Sequence, residues 1–200
     1  MTDRAARRIL DTLEQSRDLM DASLRDEALL DAVERAAAAL TATLRAGGKL
    51  LVAGNGGSAA DAQHIAGEIV GRFLFDRAPL AALALTTDSS ILTAVANDYG
   101  FDHVYERQVR GLGRPGDLFL GISTSGNSAS ILRACAAARD LGLTTVGFTG
   151  AGGGKLADLC DILVKVPSER TFLIQQVHIT VGHILCLMAE ADIFGAASPA

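Results

Sequence analysis

The chain has no tryptophan, 4 prolines and 3 cysteines in 200 residues, and its aromatic content is 4%. Proline is too sparse for a disordered or fibrous chain, and 49% hydrophobic residues with 21 glycines describe a globular protein of helices and sheet. The cysteines at 135, 160 and 186 are odd in number and lack CxxC or metal-like spacing. They read as buried structural thiols in a reducing compartment. A basic excess is also missing: 18 Lys and Arg stand against 23 Asp and Glu, a net charge of -5 with pI near 5.3. That argues against a nucleic-acid partner, which would call for a basic patch. Met1-Thr2-Asp3-Arg4 carries no apolar signal core and no stretch approaches the ~20 apolar residues of a membrane span. The expectation is a cytoplasmic, soluble protein with no membrane partner, folded as a single domain over residues 1–200.

Residues 4–46 carry apolar positions at helical spacing with a break near Ser23-Leu24-Arg25-Asp26, which predicts two helices as a lead-in over residues 1–46. Apolar runs at 49–53, 81–85, 117–122, 143–148 and 161–166 then alternate with helical patterns. The last of these patterns is a long terminal helix from about Thr171 to Ala191. Repeated strand-then-helix units imply an α/β fold with a doubly wound parallel sheet of about five strands covered by helices on both faces. Strand order cannot be read from the sequence. In such sheets ligands sit beyond the carboxyl ends of the strands, where the glycine- and hydroxyl-rich turns fall here. Gly152-Gly153-Gly154 reads as a flexible turn, and Asp88 as a helix N-cap.

Two of those turns carry chemistry. Ser123, Thr124 and Ser125 crowd hydroxyls after a strand, Gly126 lets the backbone approach a ligand, and Ser128 opens a helix, so hydroxyls and helix N-terminal amides form an anion cup. The alternative is that Ser128 is only an N-cap and its neighbours are ordinary turn residues. Asn55-Gly56-Gly57-Ser58 repeats the design at the end of another strand. Neither turn matches GxGxxG or GxxxxGK[ST], so a small phosphorylated ligand fits better than a dinucleotide or ATP. His64 and Glu68 stand at i and i+4 on one helical face, a spacing that suits a shared metal and equally a simple His–acid hydrogen bond. Gln175, Gln176, His178 and His183 are polar groups on an otherwise apolar terminal helix and need partners there.

Taken together, Gly54-Asn55-Gly56-Gly57-Ser58, Ala96-Asn97-Asp98 and Gly121-Ile122-Ser123-Thr124-Ser125-Gly126-Asn127-Ser128 resemble the signature of the sugar isomerase (SIS) domain, specifically of the phosphoheptose isomerases. The resemblance spans nearly the whole chain. It implies one zinc ion per subunit held by His64, Glu68, Gln175 and His183, and a homotetramer with interfacial sites to which the lead-in contributes. It also implies interconversion of sedoheptulose 7-phosphate and D-glycero-D-manno-heptose 7-phosphate through an enediol, an early step of activated-heptose supply for lipopolysaccharide or other surface glycans. Glu68 would be the base, His183 would shuttle protons at the oxygens, and zinc would polarise the carbonyl. The substrate contacts implied are Asn55, Gly56, Gly57, Glu68, Arg72, Asn97, Asp98, Ser123, Thr124, Ser125, Ser128 and Gln175. Asn97-Asp98 is equally a turn pair, and Arg72 equally a solvated cation at a helix end. His178, without a family role, is expected to be structural.

Gln175 and His183 pose a difficulty, because eight residues of straight helix rise about 12 Å. A distorted first turn or donors from different subunits would relieve it. The chain departs from the family in reading Gln175-Gln176 where Gln-Glu is common, and in the apolar Phe172-Leu173 before them. Two other functions compete: an isomerase of a different sugar phosphate, and a non-catalytic SIS protein that binds a replication-initiator partner. The second would be expected to have lost Glu68 and His183, and both are present.

Overall fold

The computed structural model describes residues 3–195. Helices α1 (Asp3–Leu24) and α2 (Glu27–Arg45) form the lead-in. The chain breaks between them because the Asp26 carboxylate accepts the Leu29 amide at 3.1 Å, an N-cap of the kind that contributes about 1 kcal/mol. There follow β1 (Leu50–Gly54), α3 (Gly57–Val70), β2 (Ala82–Ala84), α4 (Ser89–Tyr99), α5 (Val104–Leu112), β3 (Leu118–Ile122), α6 (Ala129–Asp140), β4 (Thr144–Thr149), β5 (Ile162–Lys165) and α7 (Thr171–Phe194). Asp88 caps α4 as expected, accepting the Ile91 amide at 2.9 Å. Short 3-10 turns occupy Phe101–His103 and Gly154–Asp158.

All strands pair in parallel in the order β2-β1-β3-β4-β5, with Leu50 opposite Leu118 and Leu118 opposite Thr144. The sheet is buried on both faces, and period-2 alternation sends side chains into two apolar layers. Leu50, Val52, Leu118, Leu120, Ile122, Val146 and Phe148 pack with α2, α3 and α7. Leu51, Ala53 and Phe119 pack with α5 and α6 on the opposite face. Phe119 and Phe148 are each fully buried, and truncating either to alanine would cost about 3–5 kcal/mol.

The winding direction reverses between β1 and β3, so the crevice that binds ligands in this topology opens beyond Gly54 and Ile122. The turns starting at Asn55 and Ser123 flank it.

Three expectations need correction. Helix α5 has no counterpart in the sequence reading: its short pattern follows the glycine at 100 and the 3-10 turn, and its face is fixed only by packing of Val104, Tyr105 and Val109. Helix α4 runs to Tyr99, so Asn97 and Asp98 lie in its last turn, exposed, with Asn97 Nδ2 donating to Asp98 Oδ1 at 2.8 Å. Helix α7 is, by length and composition, apolar enough to cross a membrane, contrary to the sequence reading. Half of that apolar window is buried in this fold, where Leu173, Ile174, Val177, Val181 and Leu185 join the core.

Candidate active site

The loop after β3 is held from behind by the neighbouring strand end. The Ser123 amide donates to Phe148 O at 2.9 Å, and the Gly150 amide donates to Thr124 O at 2.9 Å. Gly126 adopts φ +65, and a Cβ there would stand 2.0 Å from Gly153 O, so only glycine fits. The Leu156 amide donates to Gly126 O at 3.0 Å, and the Lys155 amide to Asn127 Oδ1 at 3.1 Å. Gly152-Gly153-Gly154 is therefore a packed brace for the hydroxyl loop, where the sequence suggested a flexible turn.

The two readings of Ser128 are now separable. Its backbone is extended before α6, but its hydroxyl makes no capping bond and instead meets Ser123 Oγ at 3.0 Å. The first-turn amides of α6 thus lack the side-chain acceptor an N-cap supplies, which suits an incoming anion. Thr124 and Ser125 complete the rim.

The opposite lip is tied to this one. Asn55 Nδ2 donates to Ser130 Oγ at 3.1 Å, and the Tyr105 hydroxyl donates to Gly54 O at 2.7 Å with Asn55 Oδ1 at 3.3 Å. Ser130 and Tyr105 escaped the sequence reading, because Tyr105 lies on the unforeseen α5 and reaches Gly54 across 51 positions. Gly56 has φ +56, and a Cβ on Gly57 would lie 2.5 Å from Gln175 Nε2, so the Gln175 amide occupies the space a larger residue would fill.

Farther along α3, His64 Nε2 lies 3.1 Å from Glu68 Oε1 and 3.2 Å from His183 Nε2. The rings of His64 and His183 meet edge to face at 4.9 Å, and Phe73 stacks on His183 at 5.6 Å. Two imidazole nitrogens pointed at each other at this range either share one proton or direct their lone pairs at a common cation. A tetrahedral zinc ion with ligands at about 2.0–2.1 Å separates them by about 3.3 Å. The spacing of His64, Glu68 and His183 therefore fits a divalent ion in a donor set of two imidazoles and a carboxylate.

Asp61, one turn before His64, was not foreseen. Its Oδ2 is buried without a partner among the described residues, and burial raises its pKa against the opposing pull of His64. The spacing 61, 64, 68 on one helical face was the available signal.

Gln175 does not join the cluster within this chain. Helix α7 is regular from Thr171 onward, so the distorted first turn is ruled out and Gln175 stays about 12 Å along the axis from His183. Arg72 lies beyond the end of α3, exposed. His178 is structural: fully buried, it approaches Thr149 O with Nε2 at 3.1 Å beside Phe148.

Comparison with known proteins agrees with this architecture. The SIS domain family model matches residues 11–150. A phosphoheptose isomerase of Rhodospirillum rubrum is 60% identical over 144 residues, covering 72% of this chain and 77% of that protein. One from Burkholderia pseudomallei is 52% identical over 195 residues, covering 98% and 99%. The solved structure of a phosphoheptose isomerase from Neisseria gonorrhoeae matches with a TM-score of 0.88 at 43% identity, over 94% of this chain and 99% of that one. With a parallel sheet, a hydroxyl-lined crevice and a His–Glu–His cluster in place, the chain belongs to the SIS domain family and, within it, to the phosphoheptose isomerases, which are sugar-phosphate isomerases.

Proposed function

We propose that the protein interconverts sedoheptulose 7-phosphate and D-glycero-D-manno-heptose 7-phosphate through an enediol. The observation that carries this reading is the convergence of His183 from α7, 3.2 Å from His64, on the His64–Glu68 pair, 3.1 Å apart, of α3, the helix that starts at the Asn55–Gly57 lip. His64 stands seven residues beyond Gly57, about 10 Å along the axis, which suits an elongated sugar phosphate held at one end by phosphate and worked on at the other. The loop at Ser123, Thr124, Ser125 and Ser128 takes the phosphate. Asn55, Gly56 and Gly57 offer amide and backbone groups to the sugar hydroxyls, with Arg72, Asn97 and Asp98 as outer contacts.

In the reaction the Glu68 carboxylate removes the proton from the hydroxyl-bearing carbon next to the carbonyl and returns it to the neighbouring carbon. His183 moves a proton between the two oxygens of the enediol. Phe73 stacks on one face of the His183 ring. His64, Glu68 and His183 would hold zinc, with Gln175 as fourth donor from a second subunit, and the ion supplies Lewis-acid polarisation of the carbonyl oxygen when bound.

A homotetramer with interfacial sites is supported by the apolar residues that the single chain leaves exposed, among them Ile9, Leu10, Leu13 and Leu24 on α1, and by α4, which buries no residue. Three free thiols, two of them buried, suit a reducing cytoplasm. The product would enter activated-heptose supply for lipopolysaccharide or other surface glycans.

The test is incubation of purified protein with sedoheptulose 7-phosphate, with and without a chelator, alongside Glu68→Gln. Aldose formation that the chelator stops and Glu68→Gln abolishes is expected. Absence of product in every arm overturns the reading, and substantial turnover by Glu68→Gln removes Glu68 as the base.

A further inference from the structure

Beyond the cluster, α7 carries a buried acid that the chemistry above does not use. Glu190 stands seven residues after His183, two turns along the same face, with its side chain 1% exposed, and it pairs with Arg77, whose side chain is 2% exposed. Burying two charges is costly unless their polar atoms are partnered, and here each nitrogen of the guanidinium and each oxygen of the carboxylate has at least one partner. Glu190 Oε1 accepts the Phe73 amide at 2.9 Å and Arg77 Nε at 2.9 Å, while Oε2 accepts the Leu74 amide at 2.7 Å. Burial works to raise the Glu190 pKa, but those two amides and Arg77 outweigh it and keep the carboxylate below its ordinary value.

The guanidinium faces the other way, onto the end of α3. Nη2 donates to Glu68 O at 2.9 Å, and Nη1 to Ile69 O at 2.9 Å and Ala78 O at 3.1 Å. The carbonyls at a helix C-terminus have no partner within the helix, and here one side chain takes up two of them, including that of the residue assigned as base. One ion pair thus grips three segments: the last turn of α3 below Glu68, the 71–78 connection bearing Phe73, and α7 bearing His183.

We propose that Glu190 and Arg77 are positioning residues of the active site, their pair setting the separation of Glu68 from His183 and holding Phe73 against the His183 ring. Only the kinetic consequence rests on the isomerase reading; the geometric one does not.

The experiment compares the full-length protein with Glu190→Gln, Arg77→Lys, Phe73→Leu and Phe73→Tyr, with Leu40→Ala in the α2 core as a stability control. The chain has four histidines, so selective labelling gives four imidazole resonances by NMR. In Glu190→Gln the His183 resonance is expected to move while that of the distant His103 stays. The kcat toward sedoheptulose 7-phosphate is expected to fall about tenfold to a hundredfold, as when partners behind metal ligands are removed, with KM nearly unchanged. Leu40→Ala should lose melting temperature and keep kcat.

An unmoved His183, or a moved His183 with unchanged kcat, overturns the proposal. If Glu190→Gln does not fold, Phe73→Leu decides: lost kcat restored in Phe73→Tyr supports the clamp, and unchanged kcat overturns it. Should the unmodified protein lack turnover while His183 still moves in Glu190→Gln, the isomerase reading fails and the geometric clamp stands.

Discussion

Lowering the pH should weaken the fold through His178, in a way that a single substitution isolates. Its ring is fully buried between β4 and α7; Nε2 faces Thr149 O at 3.1 Å, and Nδ1 is buried with no partner among the described residues. The bonded nitrogen must carry the hydrogen, so the ring is neutral, and a proton on Nδ1 would be a charge facing apolar atoms. Burial accordingly depresses its pKa from 6.5 to about 4, against the weaker opposing pull of the Thr149 carbonyl.

Above pH 6.5 the group is neutral in both folded and unfolded chains and contributes no pH dependence. Between pH 6.5 and about 4 the unfolded chain takes up a proton that the folded chain refuses. Stability then falls by about 1.4 kcal/mol per pH unit, to a total of about 3 kcal/mol. A loss of that size is a sizeable fraction of the roughly 5–15 kcal/mol that holds a domain together. His178→Gln keeps an N–H at the position of Nε2 and removes the titration. Urea unfolding at pH 7.5 and 4.5 should show the wild type losing about 2–3 kcal/mol more than His178→Gln over that interval, whatever the other histidines do in both proteins. An equal pH dependence in the two would refute the account of a neutral, buried ring.

Other outcomes follow from the loops and the cluster. Gly126→Ala places a Cβ 2.0 Å from Gly153 O at φ +65, so it should raise KM for the sugar phosphate at least tenfold and cost about 1–3 kcal/mol in urea titrations. Ser128→Ala should raise KM several-fold yet leave the melting temperature within a degree or two, because its hydroxyl bonds Ser123 instead of capping α6; loss of a true cap would cost about 1 kcal/mol and lower it visibly. Zinc added to chelator-stripped protein should raise the melting temperature, by about 2.7 kcal/mol of stability at a hundredfold excess over Kd, and His64→Ala should abolish the response in calorimetry.

The sheet was readable because its strands are short apolar runs closed by glycine or hydroxyl residues, and the five observed strands fall within a residue or two of the expected ones. The hydroxyl loop was readable for the same reason. Its stiffness was not: nothing local in Gly152-Gly153-Gly154 says that its carbonyl will meet Gly126, since that contact depends on β3 and β4 lying side by side. Tyr105 and Ser130 were hidden likewise, each reaching the crevice across more than 50 positions of chain. His64 and Glu68 announced themselves through helical spacing, whereas the approach of His183 spans 119 positions and needed the family resemblance to be suspected.

The adjacency of β1 and β3 also bears on how the protein assembles. Lys49 and Asp117, at the base of those strands, bond across 68 positions, with α3, β2, α4 and α5 threaded between. Closing so long a loop has an entropic cost that is recovered only when the two strands zip together, which makes the central pairing a slow event compared with helix formation. Both lips of the crevice hang from that pairing, so a partly folded chain has helices but nowhere for a sugar phosphate to sit. Ligand would therefore stabilise only molecules that have completed the central pairing, and its capture would serve as a stringent reporter of finished folding.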